Sequence, residues 1–379
     1  MNLLFIHPEI RKIDILNYGY LKDWNTTFLG TPYSNDKELL LGNFYSSMTS
    51  TDFFSVYDPI SILGGKTRMI SFGKLTLSKD LINKYDAILT IEPFTFLSYS
   101  ASKISSRYGL KHFIRIHTLH KSPQLFLPPF LRNANKSLSD AAGIIYATKK
   151  AESFIENQMS FNPKIKQQIY LGLDLGEYNV ENMHPKYRKH SNTPEHTVIN
   201  LLYVGRLVKE KGVLNLIRAV HLLNSNDIRF TLIIVGSGYL MDDIIRYEKR
   251  FQWLKYCGSM NHSRVVTVFS QSDIFVSVSD VKRTFGFVTW VEDVGHTIME
   301  AMASGLPVVS GLCGSQPEIL GDGGISVKGK PEDIAEGILY LCENLSLHKE
   351  RALKRASTVF NYPKNSIALN DFLNKAYGL

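Results

Sequence analysis

Cysteine is scarce in this 379-residue chain: Cys257, Cys313 and Cys342 are too few and too scattered for a disulfide framework or a zinc site. Long apolar runs are missing too, none approaching the roughly 18 residues that a bilayer crossing needs. The first residues, Met-Asn-Leu-Leu-Phe-Ile-His-Pro, lack a leader pattern and read as a first β-strand, so the expected compartment is the cytoplasm. A complete Gly-x-Gly-x-x-Gly fingerprint does not occur. Nor does a stripe of basic and aromatic residues, which removes nucleic acid from the expected partners. Apolar residues at 44% and charged residues at 21% are ordinary for a globular protein, and the length allows about two domains.

What is present is charge, unevenly divided. The formal net charge is +8; residues 1–190 hold 23 Lys and Arg against 16 Asp and Glu, whereas residues 191–379 hold 20 against 19. A positive first half attracts anionic headgroups or phosphorylated acceptors, so an anionic membrane surface is a candidate partner beside a plain solubilising surface. In that half, Leu3 to His7, Asp86 to Glu92, His112 to Ile116 and Gly143 to Ala147 read as strands, with an amphipathic helix after Pro93. Residues 8–60 show no clear pattern. The strand ending at Ile116 delivers His117, Thr118 and His120 to the sheet end where ligands of open α/β folds bind. Gln124 to Leu131 is apolar with basic edges and reads as a buried loop, since Pro128 and Pro129 oppose a regular amphipathic helix on a membrane.

Residues 181–196 are polar, contain two prolines and mark a linker. Beyond it, Val198 to Val204 runs into Gly205-Arg206-Leu207-Val208-Lys209-Glu210-Lys211-Gly212, and apolar residues at 213, 216, 217, 220 and 223 then form one helical face. Strand, glycine turn and helix start make an anion-binding arrangement. Arg206 offers phosphate oxygens a planar fork, and Lys211 a point charge. Farther on, Glu292 and Glu300 are separated by seven residues. Thr297 to Ser304 reads as a short helix ending at Gly305, before a strand at Val308-Val309. Gly295, without a Cβ at the helix start, lets an anion approach the first-turn residues His296, Thr297 and Ile298. Glu300 can accept hydrogen bonds from a diol such as a ribose. The pair suits a nucleotide sugar.

The Glu-x7-Glu element, the Ala-Met-Ala-x-Gly-x-Pro-Val-Val after it, the Gly-Arg-Leu and Lys-Gly pieces around Arg206 and Lys211, and Gly172-x-Asp174 resemble the retaining glycosyltransferases of family 4. The resemblance implies the α/β GT-B fold: two Rossmann-like doubly wound domains facing across a cleft, with a C-terminal helix packing back on the first. The expected division is an acceptor domain at 1–180 completed by 362–379, a linker at 181–196 and a donor domain at 197–361. The implied activity moves a hexosyl unit, with retention, from a UDP- or GDP-linked sugar to a glycan or lipid-linked acceptor. His117, Arg206, Lys211 and Glu292 are the implied catalytic residues; Gly205, Gly295, His296, Thr297, Ile298 and Glu300 are the implied donor-binding ones. No cofactor and no metal are expected, since the chain has no Asp-x-Asp, the mark of the metal-dependent alternative fold. The location implied is cytoplasmic, with a peripheral seat on the membrane as its extension.

Three departures from the family pattern stand out. Asp293-Val294-Gly295 replaces the usual Gly-Phe-Gly; Ser279 to Val291 is longer than usual and reads as an insertion; and no glycine pair follows the first strand, where Gly19 is the nearest candidate. A nucleotide-sugar epimerase or hydrolase of the same fold, and a catalytically silent nucleotide-sugar binder, remain open alternatives.

Overall fold

The computed structural model describes residues 1–32, 77, 79–117, 119, 128–159, 161, 164–178, 198–225, 229–284 and 286–379. The expected linker at 181–196, Thr118, His120 and residues 124–127 lie outside them. The chain divides into two compact units, Met1–Gly172 with Tyr362–Leu379, and Leu173–Asn361.

The first unit runs β1 (Asn2–Ile10), α1 (Lys12–Tyr18), β2 (Asn25–Pro32), α2 (Lys79–Ile82), β3 (Ala87–Ile91), α3 (Phe96–Tyr108), β4 (Lys111–Ile116), α4 (Pro128–Asp140), β5 (Gly143–Tyr146), α5 (Lys149–Gln158) and β6 (Lys166–Gln168). Among the described residues its strands are all parallel, in the order β2-β1-β3-β4-β5-β6. Every residue of β3 and β5 is buried, as a sheet covered on both faces requires. The strand order reverses between β1 and β3, which places the ligand crevice of such a sheet at their carboxyl ends.

Two sequence expectations need correction here. Of residues 8–60, which show no pattern as sequence, 33–60 lie outside the described residues, and the rest complete β1 and form α1 and β2; Asp14 accepts from the Arg11 backbone N–H at 2.9 Å and so starts the helix. The stretch expected to be a loop becomes α4 from Pro128 onward, because prolines at a helix start give up only N–H groups that have no partner within the helix.

The second unit runs β7 (Ile199–Val204), α6 (Val213–Leu223), β8 (Phe230–Val235), α7 (Met241–Arg250), β9 (Leu254–Tyr256), α8 (His262–Ser270), β10 (Ile274–Ser277), β11 (Lys282–Thr284), β12 (Phe287–Trp290), α9 (His296–Ala303), β13 (Val308–Ser310), α10 (Gln316–Leu320), β14 (Gly324–Ser326), α11 (Pro331–Glu343) and α12 (Leu345–Val359). Its main sheet is parallel, in the order β14-β13-β10-β7-β8-β9. This is the doubly wound order that reverses between β7 and β10, so the turn after β7 and the loop after β10 flank the crevice. The insertion between β10 and Glu292 folds as an antiparallel hairpin, β11 with β12.

The last helix, α13 (Tyr362–Tyr377), belongs to the first unit. Leu369, Phe372 and Leu373 are buried in one cluster with Leu3, Phe5 and Phe113. Trp24 Nε1 donates to Asn374 Oδ1 at 2.9 Å, and the Asp23 N–H donates to Asn370 Oδ1 at 3.0 Å. The expected return of the C-terminal helix is thus built from apolar contacts with a polar seam at the edge.

At Gly212, in the second unit, the backbone is open only to glycine. Gly212 has φ +72°, joins a 3-10 turn at Lys209–Lys211 to α6, and a Cβ there would stand 2.2 Å from the Val278 carbonyl oxygen. Left-handed backbone alone costs an alanine about 1–2 kcal/mol. Gly212→Ala is therefore expected to lower the stability of the chain by at least about 2 kcal/mol, read from its urea unfolding curve.

Candidate functional site

At the carboxyl end of β7 the chain turns sharply. The Gly205 N–H donates to the Val235 carbonyl at 3.0 Å, and the Tyr203 hydroxyl donates to the Arg206 carbonyl at 2.8 Å, fixing the backbone that carries Arg206. Lys211 follows on the 3-10 turn, and its ammonium forms an ion pair with Glu292. Ser279, two residues beyond β10, donates to the same Glu292 oxygen at 2.9 Å. Both side chains of the pair are mostly enclosed, at 18% and 14% exposure, so this is an interior ion pair rather than a surface one. Burial alone pushes the Glu292 carboxyl up; Lys211, Ser279 and the nearby His296 outweigh it and hold the group below the ordinary carboxylate range. Glu292 is therefore an ionised acceptor at neutral pH.

Gly295, φ +65°, is the N-cap of α9, and the first two helical N–H groups belong to His296 and Thr297. The Ile298 N–H donates to the Gly295 carbonyl at 3.0 Å, and its side chain is fully buried, so Ile298 seats the helix on the core. Glu300 lies four residues after His296, on the same face of α9 and one turn deeper. Burial drives its carboxyl up to about 6, against the opposing pull of His262 and of the Tyr178 hydroxyl. Tyr178 donates to Glu300 Oε1 at 3.4 Å and lies 3.4 Å from His262 Nε2, which is in turn 3.3 Å from Glu177 Oε2. The expected residues Arg206, Lys211, Glu292, Gly295, His296 and Glu300 thus line one end of one sheet and one face of one helix. Tyr178 and His262 escape a sequence reading, since nothing in their spacing links residues 84 apart.

His117 belongs to the first unit, just beyond β4. Its N–H donates to Glu92 Oε1 at 2.9 Å, and its Nε2 accepts from Arg115 Nε at 3.1 Å. Because Nε2 accepts, this geometry assigns the proton of a neutral His117 ring to Nδ1. Arg115 is almost wholly buried and also donates to the Ile169 carbonyl at 2.7 Å. Glu92 has φ +64°, a conformation that costs a non-glycine residue roughly 1–3 kcal/mol. Its carbonyl accepts from Ser98 Oγ at 2.6 Å and Thr95 Oγ1 at 3.2 Å, which anchors it at the carboxyl end of β3. Arg115 precedes His117 by two residues, on the same face of an extended chain, whereas Glu92 is brought to His117 only by the fold.

Residues 185–358 match the family described as glycosyl transferases group 1. Among curated relatives, an uncharacterized glycosyltransferase of Methanocaldococcus jannaschii is 27% identical over 232 residues, covering 59% of this chain and 55% of that protein. The match thus spans about half of that relative's length. Among solved structures, sucrose-phosphate synthase from Thermosynechococcus elongatus superposes with TM-score 0.71 at 14% identity, covering 99% of both chains. Anabaena HepE, solved in complex with UDP-glucose, superposes with TM-score 0.68 at 17% identity, over 99% of this chain and all of that one. Both likenesses extend over nearly the whole chain, and the fold class is GT-B, as the sequence motifs imply.

Proposed function

We propose, for a chain whose residues 185–358 match the family of glycosyl transferases group 1, that it moves a hexosyl unit, with retention, from a UDP- or GDP-linked sugar to a glycan or lipid-linked acceptor. The observation that carries this reading is the meeting of Arg206, Lys211, Glu292 and the tip of α9 at the strand-order reversal between β7 and β10. A nucleoside diphosphate is the leaving group, so the main catalytic need is to stabilise developing negative charge. Arg206, Lys211 and the helix tip supply positive potential without a metal. Glu292, held ionised, accepts from sugar hydroxyls once Lys211 turns to the phosphate. Glu300 takes the ribose diol. The bond from the anomeric carbon to the phosphate oxygen breaks and one to the acceptor oxygen forms on the same face. The acceptor proton passes to the departing phosphate oxygen, so no carboxylate nucleophile is invoked. The UDP-glucose complex of a protein of this fold supports a nucleotide-sugar ligand. The basic first half suits a phosphorylated acceptor and a peripheral, cytoplasmic seat at an anionic membrane.

The direct test is incubation of the chain with labelled UDP- and GDP-sugars, with and without glycan and lipid extracts. Transfer that requires an acceptor, with product keeping the donor's anomeric configuration, is the expected result. Change of the donor sugar without acceptor would instead mark an epimerase, and donor binding with no turnover a silent binder. His117→Ala is expected to cut transfer sharply, by about 10²-fold, while nucleotide affinity changes little, because the phosphate cations lie on the second unit. Unchanged turnover would remove His117 from the site.

A further inference from the structure

The hairpin β11–β12 is tied to the cation-bearing turn at its base. Lys282, the first residue of β11, pairs across the ladder with Trp290 and reaches Glu210 Oε1 at 3.6 Å, while the Asp280 N–H donates to the Glu210 carbonyl at 2.8 Å. Glu210 sits between the turn's two lysines, Lys209 and Lys211. The hairpin thereby sets the Trp290 ring against both proposed phosphate cations: Lys211 Nζ lies 4.9 Å from the ring centroid and the Arg206 guanidinium carbon 6.0 Å. An indole face is the strongest of the aromatic partners for a cation, and it screens the charge it covers from water on that side. Trp290 is itself only partly buried. It precedes Glu292 by two residues, so the ring and the sugar-facing carboxylate enter the same place from one short segment.

Resting on the nucleotide-sugar reading of this site, we propose that Trp290 is a donor-contacting residue: an aromatic wall, delivered by the hairpin, against which the diphosphate-linked sugar packs. The ring holds Arg206 and Lys211 in place before the donor arrives and lowers the local dielectric around them. When Lys211 leaves Glu292 for a phosphate, the ring's face is presented to the apolar C–H face of the pyranose. The insertion is then a donor-site element, and donors lacking the sugar ring make less use of it.

Trp290 is also a reporter. The other two tryptophans, Trp24 and Trp253, are 2% and 6% exposed in the cores of the two units, which leaves Trp290 as the tryptophan placed to meet a ligand. The test titrates the full chain with UDP, GDP, UDP-glucose and GDP-mannose, following calorimetry and tryptophan emission together. The expected result is an emission change that saturates with the calorimetric isotherm of the nucleotide sugar that binds. In Trp290→Phe, affinity should stay within about threefold while the emission change disappears; in Trp290→Ala, affinity for that nucleotide sugar should fall about tenfold. Should the alanine variant melt without a cooperative transition, the phenylalanine variant decides by its emission alone. An emission change that survives in Trp290→Phe, or an alanine variant that folds and binds as tightly as the unchanged chain, overturns the proposal. Nucleotide-sugar binding with a silent Trp290 overturns this inference alone, whereas no binding of any of the four probes overturns the functional reading with it.

Discussion

Replacing Lys211 by methionine is expected to reduce sugar transfer by about 10²- to 10³-fold, the range seen when one preorganised group aimed at a developing anion is removed. Two losses combine. The departing diphosphate loses a charge-assisted partner, and Glu292 is left as an enclosed carboxylate without its cation. Breaking an interior pair by removing one partner is expected to cost about 3 kcal/mol of stability. Its pH dependence has a definite sign. In the unchanged chain Glu292 titrates below its ordinary value, so its contribution is present above about pH 4.5 and is lost as pH falls through its folded-state pKa. In the variant, burial is opposed only by Ser279 and His296, and the carboxyl shifts upward from its position in the parent. The variant should therefore be least stable relative to the parent near neutrality, and the gap should close as the solution is acidified, because protonation removes the stranded charge. Melting curves at neutral and at mildly acid pH check the stability part, and single-donor turnover checks the catalytic part. Turnover within about threefold of the parent would remove Lys211 from the charge-stabilising role.

Replacing Glu300 by glutamine should separate binding from stability. A carboxylate accepts both hydroxyls of a ribose, and hydrogen bonds to a charged group are worth about 1.5–3 kcal/mol, so nucleotide affinity should fall about 10- to 100-fold. Burial raises the Glu300 carboxyl from 4.5 to about 6 in the folded chain. The native state thus holds this proton more tightly than the unfolded chain does. Stability linked to Glu300 is full below about pH 4.5 and declines as pH rises through about 6, a loss of about 2 kcal/mol at neutral pH. The glutamine variant carries no such burden and should melt higher than the parent near pH 8 while binding nucleotide worse. Donor affinity of the parent should be level above about pH 7 and weaken below about 6, as the acceptor carboxylate gains its proton; the variant's affinity should not change across that window. A parent affinity that rises on acidification would contradict this role for Glu300.

The second unit was the more legible in sequence because its site is local. Gly205 to Gly212 is the single turn between one strand and the next helix, and Glu292 to Glu300 is one loop and one helix, so spacing carries the geometry. Gly295 and Gly305, both at positive φ, mark the two ends of α9 as the residue pattern implies. The first unit hides its chemistry in long-range pairing. Glu92 directly follows β3 and His117 directly follows β4, and only the β3–β4 pairing brings the Glu92 carboxylate to the His117 backbone. The β2 strand, Asn-Thr-Thr-Phe-Leu-Gly-Thr-Pro, lacks a clean apolar alternation to mark it in sequence, and the structure shows it through its parallel pairing with β1. Pro128 and Pro129 misdirect a sequence reading because the same residue that breaks a helix interior begins one well. The Ser279 to Val291 insertion was visible as extra length, but that it is a hairpin facing Arg206 and Lys211 with a tryptophan follows only from the fold.

The most direct measurement is calorimetric titration of the unchanged chain and of its Arg206→Gln variant with UDP- and GDP-sugars and with the corresponding nucleosides. Of the two proposed phosphate cations, Lys211 is ion-paired with Glu292, whereas no ion pair to Arg206 occurs among the described residues, and loss of the guanidinium leaves the Lys211–Glu292 pair intact. The account predicts that the unchanged chain binds one family of nucleoside diphosphate sugars and barely binds the nucleoside. It also predicts that Arg206→Gln weakens the nucleotide sugar about 10- to 100-fold while leaving the nucleoside unaffected. Equal affinity of parent and variant for the diphosphate-linked sugar would contradict it.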